Sequence, residues 1–137
     1  MNGIVYETDK DRANQDRLHR RLEAFGYQVR QSSTMGAVDF AIYLQGKLHA
    51  VCEYKHRRTR YPTLKIDQHK IDGLIAMGAR CKVKPMLIIS FGEPDNYHYW
   101  EASGGWPVEP FKRRVGARRE EPFPAYVIPT DKFKPLN

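Results

Sequence analysis

The chain has 137 residues, 41% of them hydrophobic and 12% aromatic, enough for one domain with a buried core; this excludes both a disordered tail and a mini-protein held by cross-links. Twenty-three Lys and Arg against 16 Asp and Glu give a net charge of +7, which favours a polyanionic partner, nucleic acid being the commonest. Cys52 and Cys81 lie 29 positions apart without the paired spacing of a zinc ribbon or a redox pair, and neither a signal peptide nor a bilayer-spanning apolar run is seen, so the expectation is a cytoplasmic protein with no membrane partner.

The first predicted element is a helix over 8–25, capped by Thr8, acidic in its first turn (Asp9, Asp11) and ended by Gly26. Leu18, Leu22 and Phe25 form its apolar stripe, and stepping back by three and four brings Gln15 and then Asp11 onto the same line. Polar residues there have two readings: the stripe runs out at a frayed helix start, or Asp11 and Gln15 point at the carboxylates described next. Arg12, Arg17, Arg20 and Arg21 lie mostly off the stripe as a solvated basic face. A strand over 27–31 and a small polar turn over 32–36 follow.

Residues 38–55, VDFAIYLQGKLHAVCEYK, are two apolar-rich runs around a Gly-containing turn, the signature of a hairpin. If pairing is symmetric about Gly46, residues whose numbers sum to 92 face each other, and Asp39 falls opposite Glu53 with their Cβ atoms about 5 Å apart on one sheet face. Lys55 shares that face and Tyr54 turns away. If instead Gln45-Gly46 alone makes a two-residue turn, the sum is 91, Asp39 opposes Cys52, and the carboxylates part unless a bulge restores them. Two carboxylates so placed suit one small hard cation, Mg²⁺ in the first instance, and an ammonium beside it suits phosphoryl chemistry. On the other face Phe40, Ile42 and Leu44 match Leu48, Ala50 and Cys52 as an apolar surface for a helix to cover.

Directly after Lys55, His56, Arg57, Arg58 and Arg60 place four potential cations behind this cluster, where arginines can fork onto phosphate oxygens. A second helix is predicted over 64–79, with Leu64, Ile71, Leu74 and Ile75 buried and Gln68 on the same face, available to a phosphate or an attacking water or else only to solvent. Residues 84–91, KPMLIISF, read as a central strand. Further on, 97–100 and 125–128 read as strands and 104–107 as a turn. Lys112, Arg113, Arg114, Arg118 and Arg119 make a basic loop, read either as a mobile arm that follows a nucleic-acid backbone or as a solubilising loop. His19, His49, His56, His69 and His98 contain no i, i+4 pair, which argues against a histidine metal site.

Asp39, thirteen intervening residues, then Glu53-Tyr54-Lys55, set in the order helix, strand, hairpin, helix, strand, resembles the PD-(D/E)xK nuclease superfamily, with Val38 at the variable proline position. Gly36-Ala37-Val38-Asp39-Phe40 is similar to the Gly-x-x-Asp-Phe motif of virus-type replication-repair (VRR-Nuc) nucleases, and Asp11-Arg12-Ala13-Asn14-Gln15 to their acidic-x-x-x-Gln first helix. Gln68 falls where these families and archaeal-type Holliday junction resolvases often carry a Gln. The resemblance covers about 8–91. It implies an α/β, restriction-endonuclease-like fold with an αβββαβ core and a mixed central sheet flanked by helices, the chain forming a single nuclease-like domain (core about 8–91) with an extra basic C-terminal β/loop segment over 92–137. It further implies a metal-dependent deoxyribonuclease in which Asp39, Glu53 and the Tyr54 backbone carbonyl bind Mg²⁺ or Mn²⁺. Lys55 would position water and stabilise the transition state, with Gln68, Asp11 and Gln15 in support. The expected partner is duplex or branched DNA; cutting a junction would require two sites and hence a homodimer. The rival readings are a non-catalytic nucleic-acid-binding module and a partner-dependent subunit on the same fold.

Overall fold

The apolar positions sort into two sets that cannot be buried on one surface, and the chain resolves this by covering both faces of one long sheet. The computed structural model describes residues 9–31, 38–93, 95–115 and 119–136, and the side chains of all these except 9–11 and 112–121. In chain order the elements are α1 (Asp9–Ala24), β1 (Gln28–Gln31), β2 (Phe40–Leu44), β3 (Lys47–Arg57), β4 (Thr63–Asp67), α2 (Gln68–Cys81), β5 (Lys84–Phe91), β6 (Tyr97–Glu101), β7 (Val108–Val115), β8 (Arg119–Pro129), a 3-10 turn (Thr130–Lys132) and β9 (Lys134–Pro135). Six strands form the main sheet in the order β1-β2-β3-β5-β6-β9, and β4-β8-β7 form a second sheet. In the main sheet only β3 and β5 run parallel, as the α2 crossover between them requires. Among the described residues no helix is long and apolar enough to cross a membrane.

The hairpin combines both registers considered above. Leu44 pairs with Lys47 and Tyr43 with Leu48, so the turn is the two-residue Gln45-Gly46, with φ of 53° and 80°. Positive φ at both central residues gives the twist that a tight hairpin needs, and Gly46 takes it at no steric cost. A bulge then leaves His49 unpaired, and from Ile42↔Ala50 onward the pairs sum to 92. The two-residue turn therefore occurs with the bulge that restores the symmetric register beyond it.

Toward α1 the sheet presents Phe40, Ile42, Ala50, Cys52 and Ile88 to Leu18 and Leu22. The buried line of α1 is Asn14, Leu18 and Leu22, and Phe25, expected on it, is 43% exposed. Asn14 is fully buried: its backbone carbonyl accepts from the Tyr97 hydroxyl at 3.0 Å and its side-chain oxygen from Arg17. Toward the other side Val51, Leu87 and Ile89 pack on Ile71 and Leu74 of α2 and on Leu64, Ile66, Tyr126 and Ile128 of the second sheet. Strand β5, buried on both faces from Leu87 to Phe91, matches the expected central strand.

Three expectations change. Residues 63–67 are β4 and not the first turn of a helix: Leu64 and Ile66 alternate into the core opposite Ile128 and Tyr126, and the Asp67 carboxylate caps α2 by accepting from the His69 N–H at 2.9 Å. The basic segment is no free loop, because Lys112, Arg113 and Arg114 lie in β7 and Arg119 in β8, with Arg113 across from Glu121 and Arg114 across from Glu120; Arg118 lies outside the described residues. Finally, residues beyond 91 are built into both sheets: β6 and β9 complete the main one, and β7 and β8 make most of the other.

Candidate active site

Asp39 stands one residue before β2, where β3 has run past the end of its partner. Its N–H donates to the Cys52 carbonyl at 2.9 Å, and its Oδ2 accepts from the Tyr54 N–H at 2.9 Å. The carboxylate thus takes the place of the missing strand partner, which fixes its position against the Glu53-Tyr54-Lys55 segment. The N–H and C=O of one strand residue point to the same side of the strand, so the Tyr54 carbonyl faces the edge where Asp39 sits.

Alternation along β3 puts Glu53 with Val51 on the α2 side, and Glu53 is only 4% exposed. Its Oε2 lies 3.9 Å from the ammonium of Lys55 and 3.9 Å from that of Lys70 on α2. Both separations exceed hydrogen-bond length, so these are ion pairs without a shared proton. Burial first, and the Asp39 carboxylate second, push the Glu53 carboxyl up to about 7, against the opposing pull of Lys55 and Lys70. Burial likewise lowers the Lys55 ammonium; Glu53 opposes this shift, while Lys70 and Arg57 add to it. The two shifts agree that the pair is poorly solvated: each charge costs more to bury than its partner returns.

The structure brings Asp39, Glu53 and Lys55 together and adds Lys70, which the sequence reading missed. Gln68 is elsewhere. Its Nε2 lies 3.5 Å from the Tyr126 hydroxyl, which donates to Asp72 at 2.6 Å, so Gln68 and Asp72, one turn apart, buckle α2 to β8. The signal for Lys70 was its place next to the buried Ile71 in the first turn of a helix that starts at Gln68. Gln15 is half-buried on α1, and among the described residues no bond joins it to Asp39 or Glu53; the side chain of Asp11 lies outside the described residues. Among the described residues no three His, Cys, Asp or Glu side chains gather in a metal-holding group, so the oxygen donors on hand are two carboxylates and a backbone carbonyl.

The cations after Lys55 divide. Arg57 shares the Glu53 face, and its Nη1 donates to the His56 carbonyl at 3.2 Å; burial lowers its pKa. Arg58 is exposed. His56 turns to the α1 side, where its Nδ1 lies 2.7 Å from the Ser90 hydroxyl, itself 2.8 Å from the Tyr54 hydroxyl. Arg60 donates to the Thr130 carbonyl at 2.8 Å, approaches His98 Nε2 at 3.2 Å and lies over the Phe91 ring. His56 and Arg60 thus already have partners within the fold. The side chains of Lys112, Arg113, Arg114 and Arg119 lie outside the described residues.

The main chain is similar to the Holliday junction resolvase Hjc of Archaeoglobus fulgidus at a TM-score of 0.64 and 10% identity, over 91% of this chain and 88% of that one. At that identity the likeness shows the fold, which is restriction-endonuclease-like. No curated protein sequence matches. The family described as phage putative PDDEXK endonuclease matches residues 1–104, a span that includes Asp39, Glu53, Lys55 and Lys70. With three quarters of its length matched, the chain belongs to that family of PD-(D/E)xK nucleases.

Proposed function

We propose that the chain is a Mg²⁺-dependent deoxyribonuclease, with Mn²⁺ as an effective substitute, that hydrolyses phosphodiester bonds at the Asp39–Glu53–Lys55 cluster. The observation that carries this reading is the 2.9 Å bond from the Tyr54 N–H to Asp39 Oδ2, which holds one carboxylate at the strand edge beside the other. The donor set fits a small hard cation: all its atoms are oxygens, few in number, and a bound divalent ion would offset both the burial and the Asp39 repulsion that raise Glu53. Asp39, Glu53 and the Tyr54 carbonyl would hold the ion. When bound, Mg²⁺ supplies Lewis-acid polarisation of the phosphate.

The chain's own residues do the rest. Lys55, on the same face and half-buried, lies where charge accumulates on a phosphate docked at the cluster, and stabilises the transition state electrostatically. Lys70 approaches from α2 and offers a second positive charge to the same phosphate, while Arg57, two residues on along β3, binds a neighbouring one. The fold shared with a junction resolvase makes branched DNA the first substrate to try.

Plasmid, linear duplex, single-stranded and four-way-junction DNA, each incubated with Mg²⁺ and with chelator, test the reading directly. Cleavage should require the metal and should fall roughly 10³-fold in Asp39→Ala and in Glu53→Ala. Cleavage undiminished in both variants would place the chemistry elsewhere. Metal-independent binding of all four DNAs with no cleavage of any would leave a binding module.

A further inference from the structure

Beyond Lys55, β3 leads into a cleft of about 620 Å³ between the end of the main sheet and the second sheet. Its volume falls in the range of small-ligand sites. Arg57, Arg58, Tyr61, Lys65 and Phe111 are among the residues that line it. Arg57 lies on the Glu53–Lys55 face, roughly 7 Å from Lys55 along the strand, so the lining of the cleft begins two residues along β3 from the candidate active site.

Two of its features are unusual. Tyr61 is 66% and Phe111 38% exposed, although large apolar side chains gain by burial. Tyr61 is not loose: Thr130 Oγ1 donates to its carbonyl at 2.6 Å, and the Thr130 N–H donates to the next carbonyl, that of Pro62, at 2.9 Å. The backbone is anchored and the ring is exposed. Phe111 is steadied by an edge contact with Phe123 at 5.5 Å and by the Lys65 ammonium 5.7 Å from its centre; Glu109 pairs with that ammonium at 3.4 Å and holds it there. Aromatic faces among cations are what a single-stranded nucleic acid requires, since bases stack on rings and phosphates pair with arginine.

We propose that this cleft takes an unpaired nucleotide of the substrate strand, its base against Tyr61 and Phe111 and its phosphate at Arg57 and Arg58, so that the enzyme favours DNA with a single-stranded branch beside the scissile bond. The proposal rests on the nuclease reading only for the position of that bond, and its test is read without cleavage. In full-length Glu53→Gln protein, fluorescence anisotropy compares a blunt duplex, the same duplex with a single-stranded branch, and the free single strand. The branched duplex and the single strand should bind more tightly than the blunt duplex. Adding Tyr61→Ala or Phe111→Ala should each reduce that advantage roughly ten-fold, leaving blunt-duplex affinity and its salt dependence as they were. Tyr61→Phe, which keeps the ring, should keep the advantage. A 2-aminopurine at the first unpaired position should be quenched on binding, and less so in Tyr61→Ala. Equal affinity for the three DNAs, or an advantage that survives both alanine variants, overturns the proposal. Cleavage that ignored Asp39 and Glu53 would sink the nuclease reading while leaving this binding result in place.

Discussion

Toward α1, β3 sends Cys52, Tyr54 and His56; toward α2 it sends Glu53, Lys55 and Arg57. On the first side the polar groups answer one another, with the Ser90 hydroxyl, fully buried, lying between the Tyr54 hydroxyl and His56 Nδ1. On the second side charges are paired but incompletely compensated: Glu53 is buried with two ammoniums 3.9 Å away, and both it and Lys55 are shifted toward neutrality. One six-residue stretch thus builds a face whose polar groups are satisfied and one whose charges are incompletely compensated. Incompletely compensated buried charge costs stability and is a common feature of sites that a ligand completes. Under the proposed function, that asymmetry puts the chemistry on the α2 side and support on the α1 side.

The largest effects should come from removing the acids. Asp39→Ala and Glu53→Ala are expected to lose roughly 10³-fold in cleavage rate, measured on whichever DNA the wild type cuts best. Next comes a stability effect that needs no substrate. In metal-free protein the Glu53 carboxyl titrates at about 7 when folded, against about 4.3 for an ordinary glutamate. Between those values the folded chain holds a proton the unfolded chain has lost, so this contribution is full below the ordinary value and disappears as pH rises through 7. Denaturation in chelator at pH 4 and at pH 8 should show wild type losing about 3 kcal/mol more than Glu53→Gln over that interval. Added Mg²⁺ should restore the wild type alone at pH 8. Parallel pH profiles for the two proteins would show that Glu53 is not in the environment described.

Lys70 comes next in size. It is more exposed than Lys55, 48% against 29% for the side chains, and approaches from a different element, so its charge should count for less. Lys70→Met is expected to slow single-turnover cleavage roughly ten-fold and Lys55→Met roughly 10²-fold or more. Because Lys70 opposes the rise of the Glu53 pKa, its removal should also move the Glu53 titration to higher pH. No change in that titration would separate Lys70 from the cluster.

Much of this was legible in the sequence because it depends on alternation, which needs only counting. The identity of the Asp39, Glu53 and Lys55 face follows from parity once the hairpin is recognised, and so does the apolar face under α1 at Phe40, Ile42, Ala50 and Cys52; Leu44, expected there, is exposed, and the bulge sets Leu48 opposite Tyr43 instead. The register was not legible in full: it results from a two-residue turn and a bulge at His49 whose one-residue offsets cancel, and a bulge leaves no mark in composition. Strand β4 was missed because Leu64 and Ile71, seven apart, also fit a helix, and only the second sheet shows why Leu64 and Ile66 alternate. Lys70 was missed for the same reason, since a helix begun too early put Gln68 on the inward face. The basic hairpin was obscured by its own charge and by Pro110, Pro122 and Pro124; its opposed Arg–Glu positions appear only once β7 and β8 are paired.

The smallest expected effect is the sharpest check on the difference between the two faces. Tyr54 is the middle residue of Glu53-Tyr54-Lys55, flanked by two groups assigned to the chemistry, yet its ring points away from them. Tyr54→Phe keeps the backbone N–H that binds Asp39 and the edge contact with the Tyr97 ring at 6.2 Å, and loses the hydroxyl that meets Ser90. Ser90 still has His56, so no buried group is stranded and the loss should be about 1 kcal/mol of stability. Cleavage should stay within about two- to three-fold of wild type, since that small free energy is not lost at the reacting phosphate. Ser90→Ala should cost more stability, roughly 1–3 kcal/mol, because it leaves both the Tyr54 hydroxyl and His56 Nδ1 without their shared partner. A large fall in the cleavage rate of folded Tyr54→Phe would mean that the α1 face reaches the reaction, and the division between a supporting and a reacting side of β3 would have to be given up.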